Sequence, residues 1–102
     1  MIELNSKQRK ILEKSAQSLP ALVIIGGVGV TDEQINQIST VIKSHELIKV
    51  KFNEYKDEKK PLSEQIAQKT DSVLVRIIGN VAIFYKEAEE EANRKFAARL
   101  NS

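Results

Sequence analysis

Apolar positions along the chain follow two periods, and the switches between them mark the elements. Ile11, Leu12, Ala16 and Leu19 recur at helical spacing. They predict a first helix from an Asn5 or Ser6 cap to about Ser18, ended by Pro20. Ala21 to Ile25 is an unbroken apolar run, which predicts a strand covered on both sides. The run stops at Gly26-Gly27-Val28-Gly29. Thr31 then offers a capping hydroxyl, and Gln34 three residues on completes a capping-box pair. Ile35, Ile38, Val41 and Ile42 mark the inner stripe of a second helix, to about Ser44. Leu47 to Phe52 alternates, with Ile48, Val50 and Phe52 on one side and Lys49 and Lys51 on the other. That is a half-buried strand with a cationic outer face.

Asn53 to Lys60 is polar and aperiodic and reads as a loop. Pro61 suits the first position of a third helix, with Leu62, Ile66 and Ala67 facing inward and Asp71 just past its end. Val73 to Ile78 and Val81 to Tyr85 are separated only by Gly79-Asn80, which predicts a tight hairpin. From Glu87 on, Glu, Ala, Arg and Lys dominate, and Phe96 and Leu100 are the large apolar pair. This narrow apolar edge predicts a charged helical tail over 87–102, weakly docked or independently mobile, after a domain over 1–86. The order α-β-α-β-α-β-β plus tail predicts an α/β, two-layer fold: a mixed four-stranded sheet with packed helices. Two strand–helix–strand crossovers favour parallel pairing, and the hairpin forces antiparallel pairing.

A length of 102 residues predicts one domain. The net charge of +2 and pI of about 8.9 permit nucleic-acid binding without demanding it, so the placement of charge decides. The chain has no cysteine and a single histidine, His45. Disulfides, thiolate metal sites and multi-histidine clusters are therefore excluded, and no cofactor or metal is expected. No apolar run approaches the ~20 residues that span a bilayer, and Met1 to Lys14 lacks the apolar block of a signal peptide. The expectation is a cytoplasmic monomer with no membrane partner.

The glycine loop joins a strand to a helix start, where unpaired N–H groups suit a phosphate. It is not a P-loop, because no lysine precedes Thr31. Nor is it a dinucleotide fingerprint: counted from Gly27 and Gly29, the third glycine's place holds Asp32. A plain tight turn remains the bland reading. Two features favour a phosphate. Lys7, Lys10 and Lys14 share a face of the first helix, with Arg9 nearby, and Lys49 and Lys51 line the neighbouring strand. Lys56, Lys59 and Lys60 are offset by Glu54, Asp57 and Glu58 and read as solvated surface. His45 sits at a helix-to-strand junction and reads as a helix cap. No Ser-His-Asp order, carboxylate pair or metal spacing stands out, so no enzyme is expected. No aromatic lies in the glycine loop, so low base specificity is expected.

Several strings resemble the CRM domain, whose single-domain bacterial form is YhbY-like. They are Ser6 to Lys10, Gly26 to Gly29, His45-Glu46-Leu47-Ile48-Lys49-Val50-Lys51, and Ile78 to Lys86. The resemblance covers about Glu3 to Lys86. It implies an RNA-binding fold related to the C-terminal domain of translation initiation factor three. It implies a role on ribosomal RNA or precursors of the large ribosomal subunit; plant multi-domain relatives act in organelle intron splicing. It points to Gly26, Gly27, Val28 and Gly29 as the RNA-contacting loop, with Lys7, Arg9, Lys10, Lys49 and Lys51 as basic contacts; the lysine spacing adds Lys14. Gly79-Asn80-Val81 lacks the family's hairpin lysine, and Lys86 replaces an arginine, which weakens the case for a contact there. The rival readings are a protein–protein adaptor gripping its partner with the tail, and a small-molecule phosphate binder.

Overall fold

Asn5 opens the first helix. In the computed structural model, which describes residues 3–101, its side chain accepts the Gln8 amide at 2.8 Å, and Gln8 Oε1 accepts the Asn5 amide at 3.0 Å. That reciprocal box starts α1 (Ser6–Ala16). Then come β1 (Ala21–Ile25), α2 (Asp32–His45), β2 (Leu47–Phe52), a 3₁₀ turn (Lys56–Glu58), α3 (Lys59–Thr70), β3 (Val73–Ile78), β4 (Val81–Tyr85), a second 3₁₀ turn (Glu91–Asn93) and the single turn α4 (Ala97–Leu100). Met1, Ile2 and Ser102, at the ends of the expected ranges, lie outside the described residues.

Two boundaries differ from expectation. The segment read as a loop to Lys60 winds into the 3₁₀ turn, and α3 starts at Lys59. Pro61 therefore sits inside the first turn, where its missing N–H has no intrahelical acceptor to lose. At α2, Thr31 Oγ1 accepts the Gln34 amide at 3.2 Å. The Gln34 side chain does not return the bond; its Nε2 donates to the Ile24 carbonyl at 2.9 Å. The capping box is half made, because the Gln34 carboxamide is turned toward the edge strand and not back to the Thr31 amide. At the other end of α2, His45 Nδ1 donates to the Val41 carbonyl at 2.9 Å, a helix-end role.

The sheet order is β1-β2-β4-β3. β1 and β2 are parallel, and β4 is antiparallel to both β2 and β3. The second crossover does not give a parallel pair. β3 runs the same way as β2, but β4 lies between them. The Gly79-Asn80 turn folds β4 straight back, and its residues Ala82 to Tyr85, all buried, favour the centre of the sheet.

α2 and α3 cover one face, where Ile38, Ile42 and Ile66 pack on Ile48, Phe52 and Phe84. That is the two-layer body. On the other face α1 and the tail cover part of the sheet, with Leu12 and Ala16 against Leu47, Ile83 and Tyr85. α1 packs on β2, β3 and β4. β1 is thus covered on one side only: Val23 and Ile25 are buried, while Leu22 and Ile24 are 40% and 51% exposed. The unbroken apolar run marks an edge strand here, not a doubly covered one.

The tail also departs from expectation. It is not a continuous helix, and it is docked. Phe96 and Leu100 enter the second core cluster, Phe96 meets Tyr85 edge-on at 6.2 Å, and Gln8 Nε2 donates to the Leu100 carbonyl at 3.0 Å. The anchor is Glu46, buried with φ of +62°. Its carboxylate accepts the Ala88 amide at 2.7 Å and the Lys95 amide. Burial, with the Glu46 and Glu87 carboxylates adding to it, pushes the Tyr85 phenol well above its ordinary pKa.

Candidate nucleic-acid interface

The glycine loop leaves β1 at one end of the sheet. The Gly29 amide donates to the Gly26 carbonyl at 3.0 Å and closes a tight turn. Gly29 has φ of +75°, and a Cβ there would meet the Tyr55 ring at 3.4 Å. The ring distance is ordinary contact; it is the positive φ that favours glycine. Gly27 and Val28 form the tip. A Cβ on Gly27 would meet nothing within 4 Å, and Val28 is 80% exposed. Among the described residues, no hydrogen bond engages the amide of either. These donors can turn to an anion. The helix end behind them is less inviting, because Asp32 and Glu33 in its first turn offset its partial positive charge.

Gly29→Ala is expected to lower stability by roughly 1–2 kcal/mol, from the left-handed backbone alone. The melting temperature should fall by about 5–10 °C, while Gly27→Ala leaves it nearly unchanged. Equal melting temperatures for the two variants would show that the loop is not held as described.

Other elements reach the same end. The Asn53 and Glu54 amides donate to the Ile25 carbonyl at 3.0 and 3.3 Å, and the Tyr55 hydroxyl donates to the Gly27 carbonyl at 2.9 Å. The Phe52 amide donates to the Asn80 carbonyl at 2.7 Å, which places the β3–β4 turn there too. Lys59 is not simply solvated: its Nζ donates to the Gly79 carbonyl at 2.6 Å and braces that turn.

The cations divide into groups. Lys51 is exposed and pairs in register with Ile24, the residue two before the loop, on one side and with Val81 on the other. Ile78, half exposed, completes an open row across the sheet beside the glycine turn. Lys49 lies on the same face but is half-buried, and its Nζ donates to the Leu19 carbonyl at 3.0 Å at the end of α1. Lys7, Lys10 and Lys14 are exposed on α1, which lies over this same sheet face. Arg9 turns inward, with Nη1 donating to the Leu74 and Val75 carbonyls at 2.8 and 2.7 Å, where a bulge breaks the β3 ladder. It holds α1 to the sheet. Lys86 lies at the opposite end of β4, donating to the Thr70 carbonyl at 3.2 Å. The tail packs at that end as well, around Tyr85 and Leu47, and leaves the glycine turn open.

Among the described residues, no group of three His, Cys, Asp or Glu side chains could hold a metal, and no helix is long and apolar enough to cross a membrane. The residue that sequence reasoning missed is Tyr55. Its one signal was being the single aromatic in a charged segment.

Residues 4–86 match the CRS1/YhbY (CRM) domain. The chain belongs to the CRM family. Curated relatives agree across most of this CRM chain. Probable RNA-binding protein YqeI of Bacillus subtilis is 34% identical over 88 residues, covering 85% of this chain and 92% of its own. A Haemophilus influenzae protein named RNA-binding protein is 32% identical over 91 residues, covering 88% and 92%. In three dimensions the CRM chain resembles a hypothetical protein of Staphylococcus aureus, known in solution and considered a candidate RNA binder. The TM-score is 0.76 at 33% identity, over 91% of this chain and 98% of that one. The CRM match ends at the last β4 contacts, and the docked tail is additional to it.

Proposed function

We propose that this protein binds RNA by its sugar–phosphate backbone and acts, without catalysis, in assembly of the large ribosomal subunit in the cytoplasm. One observation carries the binding mode: two amides at the tip of an exposed Gly-x-x-Gly turn, unengaged among the described residues, with Lys51 beside the strand that feeds them. The amides give short-range grip on a phosphate, and Lys51, Lys49 and the α1 lysines supply attraction over a longer range. CRM membership and relatives named as RNA-binding proteins support RNA as the partner. The ribosomal role rests on the sequence resemblance described above. An adaptor would have to grip its partner with the tail's exposed charges, because the tail's apolar pair is buried against the protein's own core.

Log affinity for single-stranded RNA should fall linearly with log salt, by roughly 0.7 per phosphate contacted. In lysates the protein should sediment with large-subunit precursors and be released by nuclease. A flat salt response would remove the backbone mechanism, and nuclease-resistant sedimentation would favour an adaptor.

A further inference from the structure

Between the glycine turn and the Asn53–Glu58 segment lies an open cleft of about 640 Å³, lined by Gly27 and by residues 53–58, among them Tyr55, Lys56 and the acidic Glu54, Asp57 and Glu58. Tyr55 is the aromatic in its lining. Its backbone is left-handed, with φ of +57°, a conformation that costs a bulky residue roughly 1–3 kcal/mol. Two contacts hold it there: the hydroxyl bond to the Gly27 carbonyl, and the ring edge against Gly29. Neither uses the whole ring, and the residue remains 42% exposed. Strain is thus kept at the one aromatic that touches the turn.

The cleft's charge says what it can take. Three carboxylates repel a phosphate, even with Lys56 among them. A nucleobase is neutral, offers a π-face to tyrosine, and can give its amino hydrogens to a carboxylate. We propose that this cleft is a nucleobase site. Tyr55 stacks on a base next to the gripped phosphate, and the carboxylates favour bases with an exocyclic amino group, adenine, cytosine or guanine, over uracil. This rests on the backbone-binding reading of the turn and adds base selection to it. It departs from the sequence-based expectation of low base specificity, which rested on there being no aromatic within the glycine loop itself.

The test compares short adenine, cytosine and uracil homo-oligomers against the full chain, with Tyr55→Leu and Tyr55→Phe variants. The chain has no tryptophan and two tyrosines, and Tyr85 is fully buried beyond a base's reach, so a contact-dependent change in tyrosine emission on binding reports on Tyr55. Wild type should bind the adenine and cytosine oligomers about fivefold or more tightly than uracil, with quenching of tyrosine emission. Tyr55→Phe should keep the preference. Tyr55→Leu, with an unchanged circular dichroism spectrum, should bind all three oligomers alike, because without the stacked ring no base is held against the carboxylates. Equal wild-type affinities, or a preference that survives Tyr55→Leu, would overturn the base site while leaving the turn's grip on phosphate intact. Loss of binding on altering the turn tests that grip separately.

Discussion

The double variant Gly27→Asp, Val28→Asp is expected to lose roughly tenfold to a hundredfold in RNA affinity while melting within a few degrees of wild type. The loss follows from charge. A carboxylate about 4 Å from a phosphate costs on the order of 1 kcal/mol in bulk water and several times more near a protein surface. Two of them at the tip oppose the same phosphate that the amides would hold. The fold should tolerate both. A Cβ on Gly27 meets nothing within 4 Å, its backbone is not left-handed, and Val28 is 80% exposed and makes no core contact. The control is Gly27→Ala with Val28→Ala, which keeps both amides and adds no charge; its affinity should stay within about threefold of wild type. Filter binding and thermal melts on the same samples decide it. A folded aspartate variant that binds RNA like wild type would remove the turn from the interface.

Glu46→Ala is expected to be the most destabilising single change considered, at roughly 3 kcal/mol. Hydrogen bonds to a charged acceptor contribute about 1.5–3 kcal/mol each, and Glu46 accepts two, from the Ala88 and Lys95 amides. Without the carboxylate, either those amides stay buried and unpaired or the tail lifts away and exposes Phe96 and Leu100. Both routes cost a similar amount, and the melting temperature should fall by more than about 10 °C. Hydrogen exchange separates the routes: tail release predicts fast exchange across 88–100 with β2 and β4 still protected. Glu46→Gln keeps one acceptor oxygen but turns an amide donor toward the other N–H, so it should fall between. A Glu46→Ala protein as stable as wild type, with its tail protected, would show that the carboxylate is not the anchor.

The sequence carried most of the local structure because local structure is set by short-range chemistry. Asn5 and Gln8 cap α1, Gly79-Asn80 turns the hairpin, and Asp71 ends α3 in a left-handed residue, all within a few positions along the chain. The glycine turn was legible for the same reason. Where a distant group offers a partner, the local signal was incomplete: the Gln34 side chain turns to the Ile24 carbonyl, and Lys59 reaches the Gly79 carbonyl.

What the chain's order alone determined is the set of elements, the exposed glycine turn and the lysines offered near it. Which of those lysines face the turn was decided by assembly of the sheet. Registry puts Lys51 beside Ile24, while Arg9 and Lys49 spend donors on backbone carbonyls. Assembly also inserted β4 between β2 and β3, left Leu22 and Ile24 on an open edge, folded Phe96 and Leu100 into the core, and carried Tyr55 to the turn. The physical reason is common to all of these. Hydrophobicity along a segment says that a face must be buried, but only the packing of distant segments says against what, and a side chain's partner across the fold leaves no periodic trace in its own neighbourhood.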